Sequence, residues 1–204
     1  MTTKKLPLHL KNTSFSLYGN LGERIAAGFL DGVFLTPVTL GSLYFNSLHL
    51  YHYYYTFAIT QLVIMAYGIY LPVRYGATPG KRVMGLTILQ LDGSAISYRE
   101  SFLKHLPMLI ISLLAFVVQG WAISLADEAA FDRLNWVEQS NYLQSFYPFP
   151  MWMQMAVIYG YYFATLLLVL MNPRHRSVSD YLAGTVVVYS RCLEKIKGEL
   201  EITS

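Results

Sequence analysis

The stretch Leu21-Gly22-Glu23-Arg24-Ile25-Ala26-Ala27-Gly28-Phe29-Leu30-Asp31-Gly32-Val33-Phe34-Leu35, continuing apolar to Leu48, decides how this chain reads. An uninterrupted apolar run of about 20 residues is what a helix needs to cross a bilayer. This one carries two ionised groups, Arg24 and Asp31, seven residues apart and so on one helix face. A charge at mid-bilayer costs at least about 2.5–3.5 kcal/mol on insertion scales, so both residues demand partners. Arg24 lies near the boundary and can snorkel out of the hydrocarbon; Asp31 lies deeper and cannot. Asp31 therefore needs a cation from another helix, and Lys104 and His105 stand at a suitable depth.

Three further windows are long and apolar enough to span: about Tyr53 to Val73, Phe102 to Ala126 and Met151 to Met171. Pro37, Pro72 and Pro107 fall within or at the ends of the spans, where they kink or start helices. Composition agrees, with 54% hydrophobic, 15% aromatic and only 13% charged residues, where a soluble domain carries about 25% charged. The expected fold is an all-α integral membrane protein with four transmembrane helices and a small cytoplasmic β-hairpin or sheet element.

Of the 15 lysines and arginines, all but Arg133 fall on one side of these spans, counting Lys4, Lys5 and Lys11 in the N-terminal segment. The positive-inside rule then makes both termini cytoplasmic. Residues 1–20 read as a cytoplasmic tail, 21–190 as the transmembrane domain and 191–204 as a second cytoplasmic tail. The N-terminal segment lacks an apolar core with a cleavage site, so the first span is expected to act as the insertion signal. Tyr51, Tyr53, Tyr54 and Tyr55 form an aromatic belt in the first outer loop. The second outer loop, Asp127 to Pro150, mixes acidic residues with aromatics and is expected along the outer interface.

Between spans two and three, Gly76 to Gly80 reads as a turn and Leu86 to Leu91 as a strand. Asp92-Gly93 signals a hairpin, with Ser94 to Tyr98 as its return arm. Thr185 to Tyr189 is a third strand candidate.

Three segments together resemble the RDD family of small bacterial membrane proteins, named for one arginine and two aspartates. They are Arg24-Ile25-Ala26-Ala27-Gly28-Phe29-Leu30-Asp31, then Gly76-Ala77-Thr78-Pro79-Gly80-Lys81-Arg82 leading to Asp92-Gly93, and Ser179-Asp180-Tyr181-Leu182-Ala183-Gly184-Thr185. The resemblance runs over roughly residues 21–189. This chain departs from it in placing Lys104 and His105 where the family often has an arginine entering the next span. The resemblance implies a bacterial inner-membrane protein of mostly uncharacterised function. Sodium/proton antiport is ascribed to a family member, and RDD-like domains also occur within larger membrane assemblies.

Each candidate site has a functional and a structural reading. Asp31, with Arg24, Lys104 and His105, reads either as an exchangeable carboxylate at which proton and monovalent cation compete or as an ionised clamp between helices. Gly28 and Gly32 suggest close approach of a neighbouring helix. Asp180, in a Ser177-Val178-Ser179-Asp180 capping box stopped by Gly184, reads as a structural clasp with Arg174 and Arg176, and with Arg24 as a further partner. Lys81 and Arg82 are assigned to anionic headgroups. A phosphate-loop reading of Gly80-Lys81 fails on spacing and on the missing Ser or Thr. His49 and His52 lack the neighbours of a metal site and read as interfacial anchors. Gln61, Gln119 and Gln154 are expected to hydrogen-bond across helices.

One cysteine excludes an intrachain disulfide and a cysteine metal site. No catalytic constellation or basic-aromatic patch is present, so no enzyme, cofactor or nucleic-acid partner is expected. Two function classes remain. One is a cation/proton exchanger working as a homo-oligomer, since four spans hardly enclose a full pathway. The other is a non-transporting accessory or scaffold protein docking a membrane partner.

Overall fold

The computed structural model describes residues 6–7 and 16–201. The N-terminal lysines Lys4, Lys5 and Lys11, used above for orientation, lie outside them. The described residues are mostly helical, and among them are four helices long and apolar enough to cross a membrane. These are α1 (Leu21–Leu48), α2 (His52–Tyr75), α4 (Tyr98–Leu125) and α7 (Met151–Met171). Between them lie α3 (Pro79–Val83), β1 (Leu86–Gln90), α5 (Glu128–Phe131) and α6 (Trp136–Gln144), and after them α8 (Val178–Ala183), β2 (Thr185–Tyr189) and α9 (Leu193–Glu201). Two compact units are present, one of Met1–Phe34, Met65–Leu106 and Tyr162–Ser204, the other of Leu35–Ile64 and Pro107–Tyr161.

The first unit is built on an antiparallel pair of strands, in which Leu86 faces Tyr189 and Gln90 faces Thr185. Leu86, Ile88 and Val187 turn to one side and pack with Ala27 and Ile96. Leu89, Val186 and Val188 turn to the other and pack with Leu6, Leu17, Tyr18 and Ile196. A sheet covered on both faces explains why β2 reads as an unbroken apolar run instead of an alternating one. The third candidate strand is thus the partner of the first. The expected return arm, Ser94 to Tyr98, contributes only the bridge Leu89–Ala95. Ser97 explains the shortfall: its N–H and hydroxyl both donate to the Glu100 carboxylate, so helix α4 claims these residues from Tyr98 onward.

Pro72 shapes α2. It has no N–H to give the carbonyl of Gly68, and the helix widens into a π turn over Ala66–Tyr70 just before it. The hydroxyl of Ser101, fully buried in α4, donates to the carbonyls of Gly68 and Ile69 at 3.2 Å each. A carbonyl freed by proline thereby regains a donor from another span.

In the second unit Tyr53, Tyr54 and Tyr55 are helical and not in a loop, because α2 starts at His52, while Tyr51 stays in the turn before it. Phe116 stacks on Phe57 with ring centroids 4.2 Å apart and on Tyr53 at 5.9 Å. Residues 127–150 fold into α5 and α6, capped by Asp127 and by an Asn135–Glu138 capping box. Phe131 and Leu143 from this segment bury against Leu50, Ala122 and Ile123. His49 meets Glu128 at 2.8 Å, and His52 Nδ1 lies 2.9 Å from the carbonyl of Phe45. Gln119 accepts from Tyr147 at 2.5 Å. Gln154 departs from expectation, its buried Nε2 having no hydrogen-bond partner in the described structure.

Candidate functional site: two carboxylates in the first unit

Asp31 projects from α1 onto the start of α3. Its Oδ1 accepts from the N–H of Gly80 at 2.6 Å and from the hydroxyl of Tyr67 at 2.5 Å. Its Oδ2 accepts from the Thr78 hydroxyl at 2.7 Å. Thr78 stands at the N-cap of α3 without capping it by its own side chain. The carboxylate of Asp31 takes over that role from another helix, where an anion is favoured. Tyr67 reaches Asp31 from the π turn that precedes Pro72.

The cation beside Asp31 is Lys81, not Lys104 or His105 as the sequence suggests. Lys81 Nζ lies 3.7 Å from Asp31 Oδ2 and donates to Thr78 Oγ1 at 3.3 Å. The side chains of Lys81 and Asp31 retain 22% and 15% exposure, so this pair is the more open of the two. Lys81, assigned to headgroups from the sequence, thus stands beside the Asp31 carboxylate. Arg82 beside it is exposed, with its guanidinium 5.5 Å from the centre of the Tyr75 ring.

Close approach here depends on Gly80 and not on Gly28 or Gly32. A Cβ at Gly80 would stand 2.3 Å from the carbonyl oxygen of Ala27 and 2.7 Å from the amide nitrogen of Asp31. A Cβ at Gly28 or Gly32 would meet no atom within 4 Å. The packed glycine comes from α3, and the helix it packs against, α1, presents backbone.

Asp180 is fully buried. Its Oδ2 accepts from Arg24 Nη1 at 2.9 Å and from Ser177 N–H and Oγ at 3.1 and 2.8 Å. Its Oδ1 accepts from Lys104 Nζ and from Thr185 Oγ1 at 3.0 Å. Burial alone would disfavour the charged form. The Lys104 ammonium and the Arg24 guanidinium outweigh it and hold the carboxyl well below the usual carboxylate range. The capping box and the left-handed Gly184 that ends α8 fix the loop carrying Asp180.

Of the residues grouped with Asp180 at sequence level, Arg176 serves its backbone. Its Nη2 donates to the Asp180 carbonyl at 2.8 Å and its Nε to that of Thr185 at 3.1 Å, while its guanidinium lies 4.1 Å over Tyr181. Arg174 does not join the clasp. It donates to Tyr18 Oη at 3.2 Å and to the Leu6 carbonyl at 3.0 Å, tying the N-terminal segment instead. His105 packs against Gly68, where an added Cβ would lie 2.9 Å from Nδ1.

Sequence reasoning missed Tyr67, Thr78, Gly80, Ser101 and Thr185. The retrievable signals were Pro72 inside a span, which announces freed carbonyls, and Pro79-Gly80 opening a helix beside a lysine.

A chain with four membrane-length apolar helices, one of them carrying an aspartate tied by neighbouring polar groups, is a multi-pass membrane protein. The RDD family model matches residues 18–184, and the chain belongs to the RDD family. No curated protein and no solved structure matches it.

Proposed function

We propose that this protein exchanges a monovalent cation for a proton across the bacterial inner membrane, with both termini cytoplasmic and Asp31 as the coupling carboxylate. The observation that supports this reading is the contrast between the two aspartates. Asp180 is sealed and holds two cations directly. Asp31 keeps partial exposure, and its only ion pair among the described residues is at 3.7 Å. Its two carboxylate oxygens stand together with the hydroxyls of Tyr67 and Thr78. Hard oxygen donors of this kind suit alkali cations, and Lys81 is the built-in cation that an incoming ion displaces. Four spans per chain make a homo-oligomer part of the proposal.

A second reading, a non-transporting accessory protein, draws on the same carboxylate: three hydrogen-bond donors and a lysine already serve it, as a permanent tie requires. Flux separates the two. Purified protein in proteoliposomes dissipates an imposed pH gradient on addition of sodium or potassium under the first reading. Asp31→Asn, inserted and folded as judged by its melting profile, abolishes that response. A silent wild type together with a stable co-purifying membrane partner overturns exchange in favour of the accessory role.

A further inference from the structure

The second unit holds a cavity of about 450 Å³ between α4 and α7, with Pro148 and Phe149 lining it at one end. This is the size range of ligand sites, roughly 300–1,000 Å³. Its walls are apolar, supplied among others by Leu114, Val118 and Val157, with a single amide, Gln154. Gln154 Nε2 is buried and lacks a hydrogen-bond partner. A buried donor left unpaired costs about 1–3 kcal/mol, so the site is complete only with an acceptor supplied from outside.

The cavity is elongated along the spans. On α4 its lining runs from Trp121 to Ile111, ten residues or about 15 Å of helix rise. Trp121 and Trp152 are exposed at the same ends of their helices as Pro148, where tryptophan marks the headgroup level. Gln154 is the fourth residue of α7, about 4.5 Å from its start. The amide therefore stands just below the headgroups, and the apolar walls continue from it toward the bilayer centre.

We infer that this cavity is a binding site for one acyl chain of a bilayer glycerolipid, whose ester carbonyl accepts a hydrogen bond from Gln154 Nε2. An ester sits at that depth, carries an acceptor and no donor, and leads into a hydrocarbon tail that follows the walls inward. An apolar helix from a second copy supplies shape but no free carbonyl, since its own backbone is already hydrogen-bonded.

The test uses the full chain in phosphatidylethanolamine vesicles containing a phosphatidylethanolamine with a diazirine midway along one acyl chain. Irradiation should label peptides covering residues 111–118 and 153–158 well above the peptide carrying Ile59 and Leu62, which are exposed on α2. Ala115→Trp fills the cavity and should remove the excess. Gln154→Leu should lower it about fivefold, the equivalent of one hydrogen bond of ~1 kcal/mol, and stands as the test if the tryptophan variant does not fold. Labelling no greater than at Ile59 and Leu62 overturns the proposal, as does undiminished labelling in Gln154→Leu. A benzophenone side chain at Val117 that joins two copies of the chain in place of lipid overturns it as well.

Discussion

Replacing Gly80 by alanine tests the architecture of the Asp31 site most directly. The new Cβ would lie 2.3 Å from Ala27 O, 2.6 Å from Asp31 Oδ1 and 2.7 Å from Asp31 N. Two of these three atoms belong to helix backbone and cannot turn aside. Restoring ordinary contact requires α3 to retreat by about 1 Å, given that van der Waals separations of ~3.5–4.0 Å are optimal. Overpacking costs about 1–3 kcal/mol. The retreat also stretches the 2.6 Å bond from Gly80 N to the Asp31 carboxylate, a hydrogen bond to a charged group worth about 1.5–3 kcal/mol. The sum is about 2.5–6 kcal/mol, from the top of the usual range for one substitution upward. Gly28→Ala is the matched control, since its Cβ meets nothing within 4 Å, and it should change stability by no more than about 0.5 kcal/mol. The assay is the thermal midpoint of both purified variants in one mild detergent, with insertion checked beforehand. A Gly80→Ala midpoint equal to that of Gly28→Ala refutes the close approach and, with it, the geometry of the site.

Two predictions concern Asp180. Asp180→Asn leaves Lys104 and Arg24 buried without their counter-charge and should cost about 3–5 kcal/mol, read as a sharp loss of folded protein; a wild-type melting profile would contradict the clasp. The pH dependence follows in sign: the folded carboxyl is held below its unfolded value, so its stabilisation is fully present above about pH 4, the ordinary aspartate range, and declines as pH falls further. Thermal midpoints should therefore be insensitive to this group between neutrality and mild acid and drop only below that point. A decline centred near pH 6 would mean that another group governs the clasp.

Spans, caps and the two strands β1 and β2 were legible because each depends on residues close in sequence, whereas the expected arm Ser94 to Tyr98 gave way to the start of α4. The fourth span reads directly from Met151 to Met171 because nothing interrupts its apolar run, and Ser177, Asp180 and Gly184 spell out a start and a stop within eight positions. The partners of Asp31 were not legible. Tyr67 reaches it only because Pro72 widens the turn before it, and Lys81 only because Gly80 lets α3 touch the α1 backbone. Depth in the membrane makes Lys104 an equally good choice for Asp31, and depth was the only criterion the sequence offered. Asp180 takes that lysine because β2 carries the C-terminal loop back beside β1, a pairing across a hundred residues that local patterns do not encode.

The separation of Asp180 from its two cations along the chain has a consequence for biosynthesis. Arg24 and Lys104 precede their shared counter-ion by 156 and 76 residues. At ~5–20 residues per second, the ribosome leaves the arginine waiting roughly 8–30 s for its carboxylate. Until then the nascent chain holds two uncompensated charges beside lipid, and a product cut short ahead of Ser177 holds them for good. The charge balance of Arg24 and Lys104 is therefore completed only when the Asp180 loop emerges and docks.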